Sequence, residues 1–176
     1  MTLRLPMSQT KHAFVFPGQG SQSVGMLADL AEQHSLVQAT FDEASAALGL
    51  DLWTLTQQGP KAVLDQTEDT QPAMLAAGVA VWRCWRDQDG PEPALMAGHS
   101  LGEYTALVCA GAMAFPDAVR LVAERGRLMQ AAVPAGQGAM AAILGLDDAT
   151  VTEVCSTEAR GQVLEPVNFN APGQVV

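Results

Sequence analysis

The pentapeptide GHSLG, Gly98 to Gly102 with Ser100 at its centre, constrains this chain more than any other stretch. Ahead of it, Ala94 to Ala97 is a short apolar run after a proline-rich break, and behind it Leu101 to Val108 returns to helical spacing. Strand, tight turn and helix therefore follow one another. In a GxSxG nucleophile elbow the two glycines let backbone crowd a strained turn, so that the serine oxygen stands exposed where a strand hands over to a helix. The N–H groups at such a helix start lack intrahelical partners and can stabilise an oxyanion. Composition alone gives ~0.06 chance occurrences of a serine between two glycines at this spacing. The one occurrence here has both flanks that the chemistry needs.

The rest of the chain suits a globular α/β enzyme. At 176 residues and 48% hydrophobic it can bury a sizeable core. A net charge of −10 without any cluster of Lys or Arg argues against a nucleic-acid or anionic-membrane surface. Cys84, Cys109 and Cys155 are odd in number, widely spaced and set in apolar helical patterns, which predicts buried thiols in a reducing compartment rather than a metal site. Neither a transmembrane stretch nor a signal-peptide core is legible, so a cytoplasmic protein is expected.

Residues 1–11 read as a leader without periodicity, and HAFVF, His12 to Phe16, as a buried first strand. The glycine-rich turn that follows is not a nucleotide site. Ser23 stands where GxGxxG requires its third glycine, and Met26 where a P-loop requires lysine. Ser35 and Gln38 predict a capping box opening an amphipathic helix with Val37, Phe41, Ala44 and Leu48 inward and Gly49 as its stop. Short helices are expected over Asp51 to Gln58 and Lys61 to Gln66. A longer one is expected from a Thr70 cap, with Pro72 in its first turn and Gly90 near its end. On it, Trp82 and Trp85 favour core packing over a ligand platform.

After the elbow, Phe115 and Pro116 open a helix whose predicted apolar face holds Ala118, Leu121, Val122, Leu128 and Met129, with Arg125 on the same face. A guanidinium there needs a partner. Spacing leaves two readings open: a structural ion pair or snorkelling side chain, and a cation set to take a ligand carboxylate through paired hydrogen bonds. PAGQG, Pro134 to Gly138, is a composition break that divides a large subdomain, 12–133, from a small one, 134–176. In the latter, strands are expected over Ala139 to Leu144 and Val163 to Asn168, with a helix between them capped by Asp147. A turn over Asn170 to Gly173 and a third strand from Gln174 complete the pattern. Ending at Val176 inside that strand, the chain reads as the front part of a longer protein.

Serine needs a base, usually histidine. His99 is adjacent to Ser100 and diverges from it on an elbow, so it is expected to line the site. His34 and His12 read as solvated surface residues.

FVFPGQGSQSVGM, TQPA, AGHSLGEYTALVCAG, AERGRLMQ and NFNAPGQVV, in this order, resemble the malonyl-CoA:acyl carrier protein transacylases of bacterial fatty-acid synthesis, from about Phe14 to Val176. The resemblance implies an incomplete α/β-hydrolase-like acyltransferase core with the start of a ferredoxin-like small subdomain. It implies Ser100 as nucleophile, the amides of Gln19 and Leu101 as oxyanion hole, Arg125 as partner of the malonyl carboxylate and His99 within the pocket. The family's catalytic histidine lies downstream of the matched residues and is absent from this sequence. Malonyl-CoA would be a substrate, no cofactor is implied, and the partners would be coenzyme A and acyl carrier protein. Leu101 beside the nucleophile also fits the malonyl-selecting members. Because the carrier is expected to be acidic, docking would draw on Lys61, Arg83, Arg86, Arg120, Arg127 and Arg160. Two other readings stand beside transfer: a serine hydrolase or thioesterase, for which Arg125 would be unnecessary on an uncharged acyl group, and a noncatalytic acyltransferase fragment.

Overall fold

Two short parallel strands carry the elbow: β1 (Ala13–Phe16) and β2 (Leu95–Gly98) pair in register from Ala13 opposite Leu95 to Phe16 opposite Gly98. They belong to a computed structural model that describes residues 12–133 and 136–176; the leader and the first two residues of PAGQG, Pro134 and Ala135, lie outside the described residues. The chain divides into two compact units, 1–132 and 133–176. It is a mixed α/β chain.

β1 departs from the expectation of a buried strand. Phe14 meets Trp82 and Trp85 edge to face at 5.2 and 5.4 Å between centroids, and Phe16 is buried, whereas Val15 is 74% exposed. Period-two alternation explains the difference: Phe14, Phe16, Met96 and Gly98 share the face that helices cover, while Ala13, Val15, Leu95 and Ala97 share the other. The tryptophans are thus packing residues.

Between the strands run α1 (Ala28–Gln33), α2 (Ser35–Leu48), α3 (Leu52–Gln58), α4 (Lys61–Leu64) and α5 (Thr67–Asp87). Val37, Phe41 and Ala44 are buried as their spacing requires, and Gly49 ends α2 in the left-handed region at φ 69°. The capping box is not formed. His34, with extended backbone, is the N-cap of α2, and Gln38 donates instead to the Asp42 carboxylate at 2.7 Å. Asp51 caps α3 by accepting from the Thr54 N–H at 2.9 Å.

Helix α5 is the centre of the first unit. It is apolar on nearly every side, with Ala73, Leu75, Ala76, Val79 and Ala80 almost fully buried, as a helix surrounded by others must be. It packs against α2, α6 (Leu101–Cys109) and α7 (Phe115–Ala132). It starts three residues before Thr70, whose hydroxyl donates to the Leu64 carbonyl at 2.5 Å and so closes the α4–α5 junction rather than capping the helix. Pro72 accordingly sits in the second turn. Gly78 and Gly126 are places of close approach: an added Cβ would lie 2.6 Å from Thr105 Cγ2 at the first and 2.5 Å from the Thr67 carbonyl at the second.

That contact at Gly126 decides which way α7 faces. Phe115, Ala118, Val119, Val122 and Gly126 are buried, while Leu121, Leu128 and Met129 are about half exposed. The predicted apolar face is therefore corrected by a rotation toward the glycine. A residue without a side chain adds nothing to an apolar pattern, yet it permits the tightest packing. Arg125 comes to the edge of the buried stripe, half-buried.

In the second unit β3 (Ile143–Leu144), β4 (Phe169–Ala171) and β5 (Gln174–Val175) form an antiparallel sheet in the order β3-β5-β4, with α8 (Asp148–Glu158) capped by Asp147. The first expected strand shrinks to its last two residues. The second moves on from 163–168 to Phe169–Ala171, so Asn170 is in a strand and the turn is confined to Pro172 and Gly173. Apolar content drew the expected strand onto Val163, which is 92% exposed; backbone pairing with β5 decided the real one.

Candidate active site

Ser100 sits between β2 and α6 at φ 51°, ψ −106°, a backbone conformation that L residues rarely adopt. Its flanking glycines make the turn possible. A Cβ at Gly98 would stand 1.9 Å from the Gly102 carbonyl carbon, and one at Gly102 would stand 2.2 Å from the Phe16 carbonyl oxygen. Both clashes are with backbone, so no side-chain adjustment relieves them. The serine hydroxyl is thereby held exposed at the carboxyl end of β2.

Arg125 reaches it from α7. The Nη2 group donates to Ser100 Oγ at 2.9 Å, Nη1 donates to Gln71 Oε1 at 2.8 Å, and the guanidinium carbon lies 5.6 Å from the centroid of the Tyr104 ring. The two leading candidates from the sequence thus meet. Of the two readings left open for Arg125, no ion pair is found: among the described residues its acceptors are a neutral amide and the serine itself.

The loop after β1 lies against the elbow, since a Cβ at Gly18 would come 3.0 Å from the His99 carbonyl oxygen. Gln19 follows, its side-chain amide donating to Thr67 Oγ1 at the start of α5 at 3.3 Å. The Gly20 N–H is taken by Gln22 Oε1 at 2.8 Å, and Gln22 is tied in turn to Asp65 at 2.9 Å, so this turn spends its polar groups on its own shape. Leu101, the residue after the nucleophile, is buried and opens α6, and the two N–H groups that follow it are taken by the elbow itself, Gly102 donating to the His99 carbonyl at 2.9 Å and Glu103 to the Ser100 carbonyl at 3.2 Å. His12 lies at the other end of the strands, its carbonyl accepting from the Ala94 N–H, and His34 stands at the α1–α2 junction.

Sequence reasoning passed over Gln71, Tyr104 and Thr67. TQPA was noticed as a motif, yet nothing in a single sequence says that its glutamine points at an arginine fifty-four positions away. The six cations considered for docking are each paired with a carboxylate: Lys61 with Asp65, Arg83 with Glu43, Arg86 with Glu92, Arg120 with Asp117, Arg127 with Glu124 and Arg160 with Glu158. Cys84 is buried, whereas Cys109 and Cys155 are only partly so, which corrects the expectation of three buried thiols. Burial still pushes the Cys109 thiol up to about 12, which disfavours its thiolate. Among the described residues no cluster of His, Cys, Asp or Glu suits a metal ion, and no helix is long and apolar enough to cross a membrane.

Comparison with known proteins extends these observations. The acyl transferase domain profile matches residues 13–176. The malonyl CoA-acyl carrier protein transacylase of Salmonella typhimurium is 65% identical over 167 residues, 95% of this chain and 54% of that protein. The Bacillus subtilis protein of the same name is 46% identical over 168 residues, 95% of this chain and 53% of its own. A malonyl-transacylase solved in complex with a type II polyketide acyl-carrier protein superposes with a TM-score of 0.92 at 59% identity, over 94% of this chain and 54% of that one. The malonyl-CoA:acyl carrier protein transacylase of Xanthomonas oryzae does so at 0.92 and 61% identity, over 96% and 54%. The chain spans about half the length of the curated relatives it matches.

Proposed function

This chain belongs to the acyl transferase domain family, and from that premise we infer that Ser100 takes a malonyl group from coenzyme A and delivers it to the phosphopantetheine thiol of an acyl carrier protein, in fatty-acid biosynthesis. One observation carries the reading: among the described residues the cation that no carboxylate neutralises stands one hydrogen bond from the nucleophile, with Arg125 Nη2 2.9 Å from Ser100 Oγ. A malonyl thioester is the substrate class that needs both groups, since its carbonyl meets the serine while its free carboxylate meets the guanidinium.

In the first half-reaction Ser100 Oγ bonds to the thioester carbonyl carbon, giving up its proton. The charge on the carbonyl oxygen falls to the N–H groups of Leu101 and Gln19, and the carbon–sulfur bond breaks to release coenzyme A as its thiol. In the second half the carrier thiol attacks the seryl ester and the steps run in reverse. His99 lines this pocket. The resemblance implies a histidine base downstream of the matched residues, and the described residues would supply nucleophile, oxyanion donors and carboxylate clamp. The parallel β1-β2 pair feeding the elbow supports an α/β-hydrolase-like core over 12–133, and the small antiparallel sheet with α8 supports the start of a ferredoxin-like subdomain over 134–176.

Intact-protein mass after brief exposure to malonyl-CoA tests the proposal. A single malonyl adduct is expected on the protein and none on Ser100→Ala. Arg125→Ala should lose ~2–5 kcal/mol of transition-state binding toward malonyl-CoA and far less toward acetyl-CoA. A folded protein that takes no adduct overturns catalysis by this chain, and equal losses for the two thioesters overturn the role of Arg125.

A further inference from the structure

We propose that Gln71 is a positioning residue that sets acyl selectivity, because it holds Arg125 in place without neutralising it. The inference rests on the carboxylate role given to Arg125 above.

Gln71 has no exposed surface, although it sits in the second turn of α5 among apolar neighbours. A buried amide must satisfy both of its ends. Its Nε2 donates to the Met129 thioether sulfur at 3.3 Å and its Oε1 accepts from Arg125 Nη1 at 2.8 Å. This orientation is the one chemistry permits. A thioether only accepts and a guanidinium only donates, so an inverted amide would set donor against donor at Arg125 and acceptor against acceptor at Met129. The geometry of Gln71 is thereby fixed from both sides, and it passes that fixity to one arm of the guanidinium while the other arm lies on Ser100 Oγ.

The identity of the anchor matters as much as its position. Every other described lysine or arginine is paired with a carboxylate. Arg125 alone among them is held by neutral acceptors without a carboxylate, so its full charge stays available in a half-buried setting, where attraction to an anion is screened less than at the surface. A glutamate at 71 would match the shape of the glutamine and make a stronger bond to the guanidinium, yet it would occupy the charge that the incoming carboxylate needs. Tyr104, stacked near the guanidinium carbon, supports the cation from a second side without cancelling it either.

The test measures equilibrium binding of malonyl-CoA and acetyl-CoA by titration calorimetry, in a Ser100→Ala background that cannot be acylated. With Gln71 present, malonyl-CoA should bind more tightly than acetyl-CoA. Adding Gln71→Glu should weaken malonyl-CoA about 30-fold or more while acetyl-CoA changes less than about twofold. Gln71→Met, which keeps the volume but neither hydrogen bond, should reduce the preference about three- to tenfold and guards against a glutamate variant that does not fold. A purely structural role for Gln71 would shift the melting temperature and both affinities together. If both Gln71 variants keep the full malonyl preference, or lose the two ligands equally, the proposal is overturned. If the Ser100→Ala protein itself has no preference, or keeps it after Arg125→Ala, the carboxylate role of Arg125 fails first and this inference falls with it.

Discussion

The two units of the molecule handle apolar surface in opposite ways. In residues 1–132 a single helix, α5, is wrapped by its neighbours, and its own Leu75 is fully buried along with Phe41, Leu52 and Val122 around it. In residues 133–176 Val151 and Val175 are the buried hydrophobics among the described residues, while Met140, Leu144, Val167 and Phe169 are each more than half exposed. Two- and three-residue strands with one helix offer little inward face, whatever their composition. Hydrophobicity therefore builds a core only where topology supplies layers to bury it. The strained serine is found in the unit that has those layers, as it must be, because a rare backbone conformation persists only where the surroundings over-determine it.

The largest expected effect breaks this comparison at its glycines. Gly102→Ala places a Cβ 2.2 Å from the Phe16 carbonyl oxygen, whereas Gly145→Ala meets nothing within 4 Å and is strained only by its φ of 85°. The first should cost at least about 3 kcal/mol and the second about 1 kcal/mol. Urea unfolding followed by tryptophan fluorescence reads the first, since Trp53, Trp82 and Trp85 all lie in residues 1–132, and amide exchange reads the second. Core truncation comes next. Leu75→Ala, at a position without exposure, should lose ~2–5 kcal/mol, and Leu144→Ala, 70% exposed, less than about 0.5 kcal/mol. Comparable losses at the two positions would mean that the second unit has a core after all.

The smallest effect sharpens the comparison, because both units contain the same cap. Asp51 and Asp147 each accept from the N–H and the hydroxyl of the threonine three positions on. These bonds, the backbone one first, hold both carboxyls below the usual carboxylate range. A depressed folded-state pKa means that stability is fully present above the unfolded value of about 3.9 and is lost as pH falls through the folded value. Asp51→Ala and Asp147→Ala should therefore lower helix protection in amide exchange at pH 7, and the difference from the parent should fade as the pH falls through the depressed folded-state value. A difference that persists in acid would show that capping is not its source.

Much of this was legible in advance because it is local. The elbow, the cap at Asp147 and the stop at Gly49 depend on a few adjacent residues and their backbone preferences. Where those rules failed, the junction with the preceding helix had prevailed. Thr70 has a cap's chemistry but spends its hydroxyl on the Leu64 carbonyl, and the Ser35 capping box gives way to His34 at a junction between two helices.

Composition and spacing by themselves determined that this chain would make an α/β elbow with an exposed serine, and that Arg125 would need an explanation. Steric exclusion and backbone preference act between neighbours, so a sequence records them directly. Only the tertiary structure decided what Arg125 touches. The close approach of α7 to α5 at Gly126 turns the helix so that its arginine reaches Ser100 and Gln71, twenty-five and fifty-four positions away. Charge availability is a property of who the neighbours are, and those neighbours are chosen by packing.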